Sequence, residues 1–372
     1  MGTLNSKTCV TDDATFNAGR ASSSAQTSHR TYGNRAALAK AVFRSRDTRA
    51  VGLHASLEAL ALMNRLRFIR TLDLAFHLYS DRTFTAALAA ANNLMKRLVR
   101  NRLVTAHTTR VGGMRIYGIA QRGVNLLGDY TNVEAKAHRS LRDVRYPEHR
   151  LWANLIVITA QVRGLTAMTE SEVLQYERSL GELVRDESGV ERVVPRKLLT
   201  IRNCRRHGER KGLTPDALLQ HGNERVWIEL DTSKRSRERV NDLLELVASV
   251  GTKLSDDTRL ARVIVFTKER RSWTHICGVL QRSAEKIGDR APSYLRQTFL
   301  EGMFDVWLPP TDTQEEASRH VQDRRLGEVQ VLMLPDPRSK AEGWYDEDWL
   351  PFAQGAERLW SLNAGGRQVT SS

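Results

Sequence analysis

The chain has 372 residues and carries 57 Lys and Arg against 43 Asp and Glu, a formal net charge of +14. A surplus of this size repels itself, so it points to a polyanionic partner, nucleic acid being the commonest, unless arginine-rich codon usage accounts for it. No apolar run approaches the ~20 residues that span a bilayer, no secretory h-region opens the chain, and Cys9, Cys204 and Cys277 show no disulfide or zinc spacing; a cytoplasmic protein with no membrane partner is expected.

Residues 1–50 are rich in Ser, Thr, Asn, Ala and Gly, with the run Ala21-Ser22-Ser23-Ser24, and read as a disordered basic tail. Its end, with Arg35, Lys40, Arg44, Arg46 and Arg49, serves either as an arm along phosphates or as a solvated linker. From Leu57 the pattern turns helical, with Leu57, Leu60, Ala61 and Met63 on a first short helix. Thr71 is placed to cap a second, whose apolar positions are Leu72, Leu74, Ala75, Leu78 and Tyr79. After a turn at Ser80-Asp81-Arg82, a third helix is expected from Thr83 or Thr85 to about Asn101. Its Leu88, Ala91, Leu94, Met95, Leu98 and Val99 recur at three and four residues, so one face is buried. The other face holds Asn92, Asn93, Lys96, Arg97 and Arg100.

A strand-like run, Leu103–Thr108, then leads through the turn Val111-Gly112-Gly113 to a second strand, Met114–Ile119. Three helices followed by a hairpin is the order of a winged helix-turn-helix, assigned here to residues 51–130. Between Arg82 and Arg122 stand eight Lys and Arg and not one Asp or Glu. For this segment the clustering favours a DNA surface over codon usage. Asn92 and Asn93 are the candidates to read adenine edges and Arg97 guanine, while Lys96, Arg100 and Arg102 would hold phosphates. Arg110 and Arg115, on the wing, would meet the neighbouring backbone or minor groove.

Residues 131–150 read as a mixed-charge connector ending near Pro147, and residues 151–335 as a second, α/β domain. Its expected order is helical segments at Leu151–Val162 and Ser171–Val184, then strands at Val193–Asn203, Leu213–His221 and Glu224–Asp231. An amphipathic helix Arg237–Val250, a buried strand Arg262–Thr267 and a helix Ser272–Ile287 follow, with further strands at Phe304–Leu308 and Glu328–Leu334. The tail, 336–372, carries Trp344, Trp349 and Trp360 among acidic residues and either packs back or docks a partner. A second basic cluster, Arg196, Lys197, Arg202, Arg205, Arg206, Arg210 and Lys211, is either a phosphate grip or a solvated loop.

The sharpest chemical constellation is Thr214-Pro215-Asp216 followed by Glu229-Leu230-Asp231. Strand geometry puts Glu229 and Asp231 on one face, and a hairpin would bring Asp216 beside them. Converging carboxylates would bind a divalent cation such as Mg²⁺, able to activate water against phosphate. An Asp thirteen residues before Glu-x-Asp, within helix, three strands, helix and strand, resembles the PD-(D/E)xK nuclease-like fold with a mixed central sheet. That resemblance implies metal ligands at Asp216 and Glu229 and a first-helix acid at Glu177 or Glu172. Its usual lysine position is Asp231 here, with Lys234 as a relocated candidate, so whether the protein is an enzyme stays open.

The hairpin's end, Tyr117-Gly118-Ile119-Ala120-Gln121-Arg122-Gly123, is similar to the close of many bacterial winged helices. Joined to the segment around Pro215-Asp216 and Val226–Ser236, it resembles the plasmid replication-relaxation family, over roughly residues 56–310. The resemblance implies an α+β protein of a plasmid or mobile element, with a winged helix and a degenerate nuclease-like domain. The function implied is binding of double-stranded DNA in replication, mobilisation or their regulation, with a relaxase or replication initiator and a homodimer as further partners. A metal-dependent DNA endonuclease using Asp216, Glu229, Asp231 and Lys234 is the alternative.

Overall fold

A computed structural model describes residues 48–109, 113–131, 133–137, 147–185, 191–202, 209–231, 237–287, 294–297, 301–308 and 324–334. The tails, the turn residues Arg110, Val111 and Gly112, the basic residues Arg205 and Arg206, and Lys234 lie outside them. The chain divides into two compact units, residues 1–58 and 59–372. Only one end of the first is described, the opening turns of helix α1 (Thr48–Leu66), which is longer than its sequence pattern suggested.

Within the second unit, α2 (Thr71–Leu78) and α3 (Phe84–Arg100) precede an antiparallel hairpin of β1 (Val104–Thr108) and β2 (Arg115–Ile119), and α4 (Gln121–Tyr130) follows. Ile69, between α1 and α2, forms an antiparallel bridge to Tyr117, its N–H donating at 3.0 Å and its carbonyl accepting at 2.9 Å. Thr71 is the first helical residue of α2 rather than its cap. The fully buried Asp73 closes this end instead, accepting from the Arg70 N–H at 2.7 Å and from its guanidinium at 2.8 Å. Ala87, Ala91, Leu94, Met95 and Leu98 of α3 are buried, and the helix packs along α2, as the three- and four-residue spacing demands. Gly123 opens α4 against the hairpin's base: a Cβ there would stand 2.2 Å from the Leu103 carbonyl oxygen, so only glycine lets the two backbones approach.

Next come α5 (Pro147–Val162), β3 (Thr166–Thr169) and α6 (Glu170–Ser179). Two small hairpins follow, β4 (Glu182–Arg185) with β5 (Glu191–Val194), and β6 (Leu199–Arg202) with β7 (Arg210–Leu213). Then β8 (Ala217–His221) and β9 (Glu224–Asp231) pair antiparallel, α7 (Arg237–Ala248) crosses over, and β10 (Arg259–Thr267) returns parallel to β9. Helix α8 (Arg270–Ile287), β11 (Tyr294–Gln297), β12 (Met303–Leu308) and β13 (Arg324–Met333) complete the described elements. The sheet order is β11-β12-β13-β10-β9-β8-β3, parallel at β9/β10 and β10/β13 and antiparallel elsewhere. The protein is therefore α+β with a mixed central sheet.

One face of the sheet, through Leu218, Trp227, Val263, Val265, Val329 and Val331, shares a core with Leu243, Leu246 and Val247 of α7 and Ile276 and Leu280 of α8. Strand alternation turns Ala217, Leu219, Ile228 and Ile264 to the other face, where α5 lies against β3, β8 and β9. The continuous strand expected over Val193–Asn203 is two strands separated by Pro195-Arg196-Lys197-Leu198, because proline lacks the N–H a central ladder needs. Pro215 likewise separates β7 from β8. The helix expected to reach Val184 stops at Ser179; Gly181 follows, where a Cβ would meet the Val194 carbonyl oxygen at 2.5 Å.

Helix α5 serves both halves of this unit. Pro147 starts it with the φ a first helical turn requires. Its inner Leu151 packs with Phe68 and Ile116 of the helix-and-hairpin half, and the Leu151 carbonyl accepts from Arg70 at 3.2 Å. Arg70 also lies over the Trp152 ring, 5.2 Å from its centroid. The buried Asn154 amide donates to the Phe68 carbonyl at 3.2 Å. The polar interruption in an apolar helix is thus the group that satisfies the backbone leaving α1.

Candidate nucleic-acid interface and the Asp216 cleft

Helix α3 presents Asn92, Asn93, Lys96, Arg97 and Arg100 to solvent, all exposed. Positions 93, 96, 97 and 100 are spaced to lie on one side of the helix. The stripe therefore projects cations and amides outward while the opposite side is locked into the core.

The end of α3 extends the stripe by an unusual route. The Arg102 N–H donates to the Val99 carbonyl and the Leu103 N–H to the Leu98 carbonyl, both at 3.0 Å, and Arg102 sits at φ +57°. This is a Schellman closure, whose left-handed position normally takes glycine. Helix α5 ends the same way, with Leu165 donating to Ala160 and Gly164 to Gln161, and there the left-handed residue is Gly164 at φ +86°. Arg102 holds an exposed guanidinium at a position where backbone energy alone favours glycine. On β2, the exposed Arg115 lies over the Tyr117 ring, 5.6 Å from its centroid. Arg110 lies outside the described residues.

The β8/β9 hairpin places Asp216 beside β9 as its spacing suggested. The Asp216 N–H donates to the Ile228 carbonyl at 3.1 Å, and its Oδ2 accepts from the Leu230 N–H at 2.6 Å. Its Oδ1 stands 3.3 Å from His149 Nε2. The hydrogen bond that His149 donates to Asp216 leads in raising the His149 pKa above its ordinary value; burial opposes, and the Asp216 charge and the Leu230 backbone add to the rise. Glu229 is engaged on its own strand, Oε1 accepting from the Trp227 indole N–H at 2.8 Å. Asp231 is buried. Among the described residues no group of three or more His, Cys, Asp or Glu side chains is set to hold a metal ion. The carboxylates are brought near one another, but Asp216 and Glu229 are turned to different partners, and no chemical step through Mg²⁺ follows from this arrangement. Lys234 lies outside the described residues.

Of the two candidate helix acids, Glu177 is buried, accepting from Lys197 Nζ at 2.7 Å and from the Leu198 N–H at 3.1 Å. Glu172 accepts from Arg65 at 2.5 and 2.9 Å and from the Thr169 N–H at 2.8 Å. Burial alone would raise the Glu172 pKa; Arg65, with Thr169, outweighs it and leaves the carboxyl below its ordinary value. In the second basic cluster, Lys197 is tied to Glu177 and Thr214, and Lys211 to Asp242 at 2.8 Å. Arg196, Arg202 and Arg210 are exposed.

His149, Arg150 and Ser171 were not singled out from sequence. They meet with Asp216 in a cleft enclosing about 160 Å³, where the starts of α5 and α6 converge. The one sequence signal was the Thr169-x-x-Glu172 capping pair, which marks the start of α6. No helix among the described residues is long and apolar enough to cross a membrane. No protein-family model, no curated protein and no solved structure matches the chain.

Proposed function

We propose that the chain is a sequence-specific, double-stranded DNA-binding protein whose α1–α4 segment acts as a winged helix. The observation that carries this reading is the exposed, acid-free stripe of α3 and its continuation through Arg102 to the β1/β2 hairpin. A helix offering Asn and Arg outward fits the major groove, where amides pair with adenine edges and guanidinium with guanine. In this reading Asn92, Asn93 and Arg97 face bases, while Lys96, Arg100 and Arg102 face phosphates. Arg110 and Arg115 reach the flanking backbone or minor groove as the wing.

The resemblance to the plasmid replication-relaxation family points to a role in replication or mobilisation of a plasmid, in the cytoplasm, with a relaxase or replication initiator, or a second copy of the chain, as protein partner. Selection from a random duplex library tests it: a shared sequence motif is expected, and the double variant Arg97→Glu, Arg100→Glu should recover none. Wild-type protein that enriches no motif would refute sequence-specific reading.

A metal-dependent endonuclease is the second reading; what supports it is the succession α5, β3, β8, β9, α7, β10 within the central sheet region, which resembles the helix, three strands, helix, strand order of the nuclease-like fold once α6 and the two small hairpins between β3 and β8 are taken as an insertion. It predicts nicking of supercoiled plasmid that requires Mg²⁺ or Mn²⁺ and disappears in Asp216→Ala.

A further inference from the structure

The hairpin of β4 and β5 is a two-stranded sheet of its own. Four of the seven large apolar side chains exposed among the described residues stand on it: Leu183, Val184, Val193 and Val194. Exposed apolar side chains scattered singly need no explanation, but four on two short paired strands form a patch. A two-stranded hairpin is also marginal in water unless something packs against it.

The register sorts these residues onto two unlike faces. Residues directly opposite one another share a face, and the face changes at each step along a strand. One face therefore carries Leu183 opposite Val193 and Arg185 opposite Glu191. The other carries Glu182 opposite Val194 and Val184 opposite Arg192, each apolar residue facing a charged one. On the first face Leu183 is 69% exposed and Val193 53%, and both charged residues are exposed as well. That face is complementary to itself. A twofold axis parallel to the strands lays β4 of one copy over β5 of another. Leu183 then meets the second copy's Val193, and Arg185 its Glu191, each contact occurring twice. Arg185 also interacts within its own chain, and the five donors of a guanidinium allow it a further carboxylate.

We propose that the Leu183–Arg185–Glu191–Val193 face docks on the same face of a second copy of the chain, the two hairpins stacking with their strands aligned. Stacked sheets lie about 10 Å apart with strands aligned to within about 30°, so apolar and charged pairs both close across the contact. The same patch serves both copies, which makes the contact isologous and ends the assembly at a dimer. It supplies the surface for a second copy of the chain and does not depend on DNA reading by α3.

Sedimentation equilibrium of the full chain without DNA, over about 1–200 μM, measures the association in the range that suits so small a contact. A monomer–dimer equilibrium is expected, weakened at least ~10-fold by Leu183→Ser. Arg185→Glu and Glu191→Arg should each weaken it at least ~10-fold, because like charges then face each other across the contact. Mixed in equal amounts, these two variants should dimerise with near wild-type affinity, since each copy supplies the charge that the other lacks. Within each hairpin of the mixture like charges still stand opposite one another, so the recovery cannot come from repair of the hairpin itself. Circular dichroism of each variant alone confirms that it is folded. A wild-type chain that stays monomeric throughout, a dimer that the charge reversals leave unchanged, or a mixture that recovers nothing overturns the proposal.

Discussion

Replacing Arg65 by Met removes the centre of the joint between α1 and the α5–β3–α6 region while keeping most of the side chain's apolar stem. Arg65 is 11% exposed and donates four hydrogen bonds: two to Glu172, one to Gln161 at 2.7 Å and one to the Ala167 carbonyl at 3.1 Å. Loss of one member of a buried pair costs about 3–5 kcal/mol, most of it from the charge left behind. Glu172 is 29% exposed and keeps its Thr169 hydrogen bonds, so the lower end, about 3 kcal/mol, is expected. For a unit of this size that corresponds to a fall in melting midpoint of roughly 5 °C. Urea unfolding followed by circular dichroism, with Glu172→Gln and the double variant closing a cycle, measures both the loss and the coupling. The Glu172 pKa is lowered by folding, so its contribution is present above the unfolded value and fades as pH falls through the folded one. The Arg65→Met defect should therefore shrink in acid. A loss below about 1 kcal/mol at neutral pH, or a loss independent of pH, would refute the assignment of this joint to the ion pair.

Burial, with the Arg65 charge, pushes His77 down to about 4 from 6.5. The unfolded chain then binds the extra proton first, so stability should fall as pH drops from about 6.5 towards 4, by up to about 3 kcal/mol. His77→Gln should flatten that part of a stability–pH curve; an unaltered curve contradicts the burial. Arg102→Gly relieves a left-handed arginine and should raise stability by about 0.5–1 kcal/mol while weakening DNA binding. Equal or tighter binding would remove Arg102 from the interface. Gly123→Ala drives a methyl into the Leu103 carbonyl and should cost about 2 kcal/mol or more in chemical unfolding; a neutral result would mean that α4 is free to shift.

Much of the helix-and-hairpin segment was legible because its signals are local. The apolar period of α3, the turn residues after Tyr79 and the strand-like runs around Gly112-Gly113 each determine structure within a few residues. The buried strands β9 and β10 were likewise visible as β-branched runs, and the spacing of Asp216 and Glu229 anticipated their adjacency across a hairpin. It did not anticipate their partners. Trp227 and Glu229 share a face through strand alternation, but the hydrogen bond between them depends on rotamers that no spacing encodes. Asp216 pairs with His149, 67 residues away in sequence on a different element. Asn154 interrupts an otherwise apolar helix, and only the structure shows that it satisfies the chain leaving α1. The small hairpins were hidden because Val193, Val194 and Leu199, Ile201 read as one apolar run, whose break at Pro195 is a matter of hydrogen-bond supply rather than hydrophobicity.

The salt dependence of affinity for a duplex of about 30 base pairs tests DNA binding through α3 most directly. Fluorescence anisotropy between about 50 and 200 mM salt should give a steep linear fall of log affinity with log salt in the wild type. Replacing Lys96, Arg100 and Arg102 together by Gln should make that slope shallower by about 2.7, close to 0.9 for each phosphate that is no longer neutralised. An unchanged slope and affinity in the triple variant would contradict the assignment of α3 and its Schellman arginine to the DNA surface.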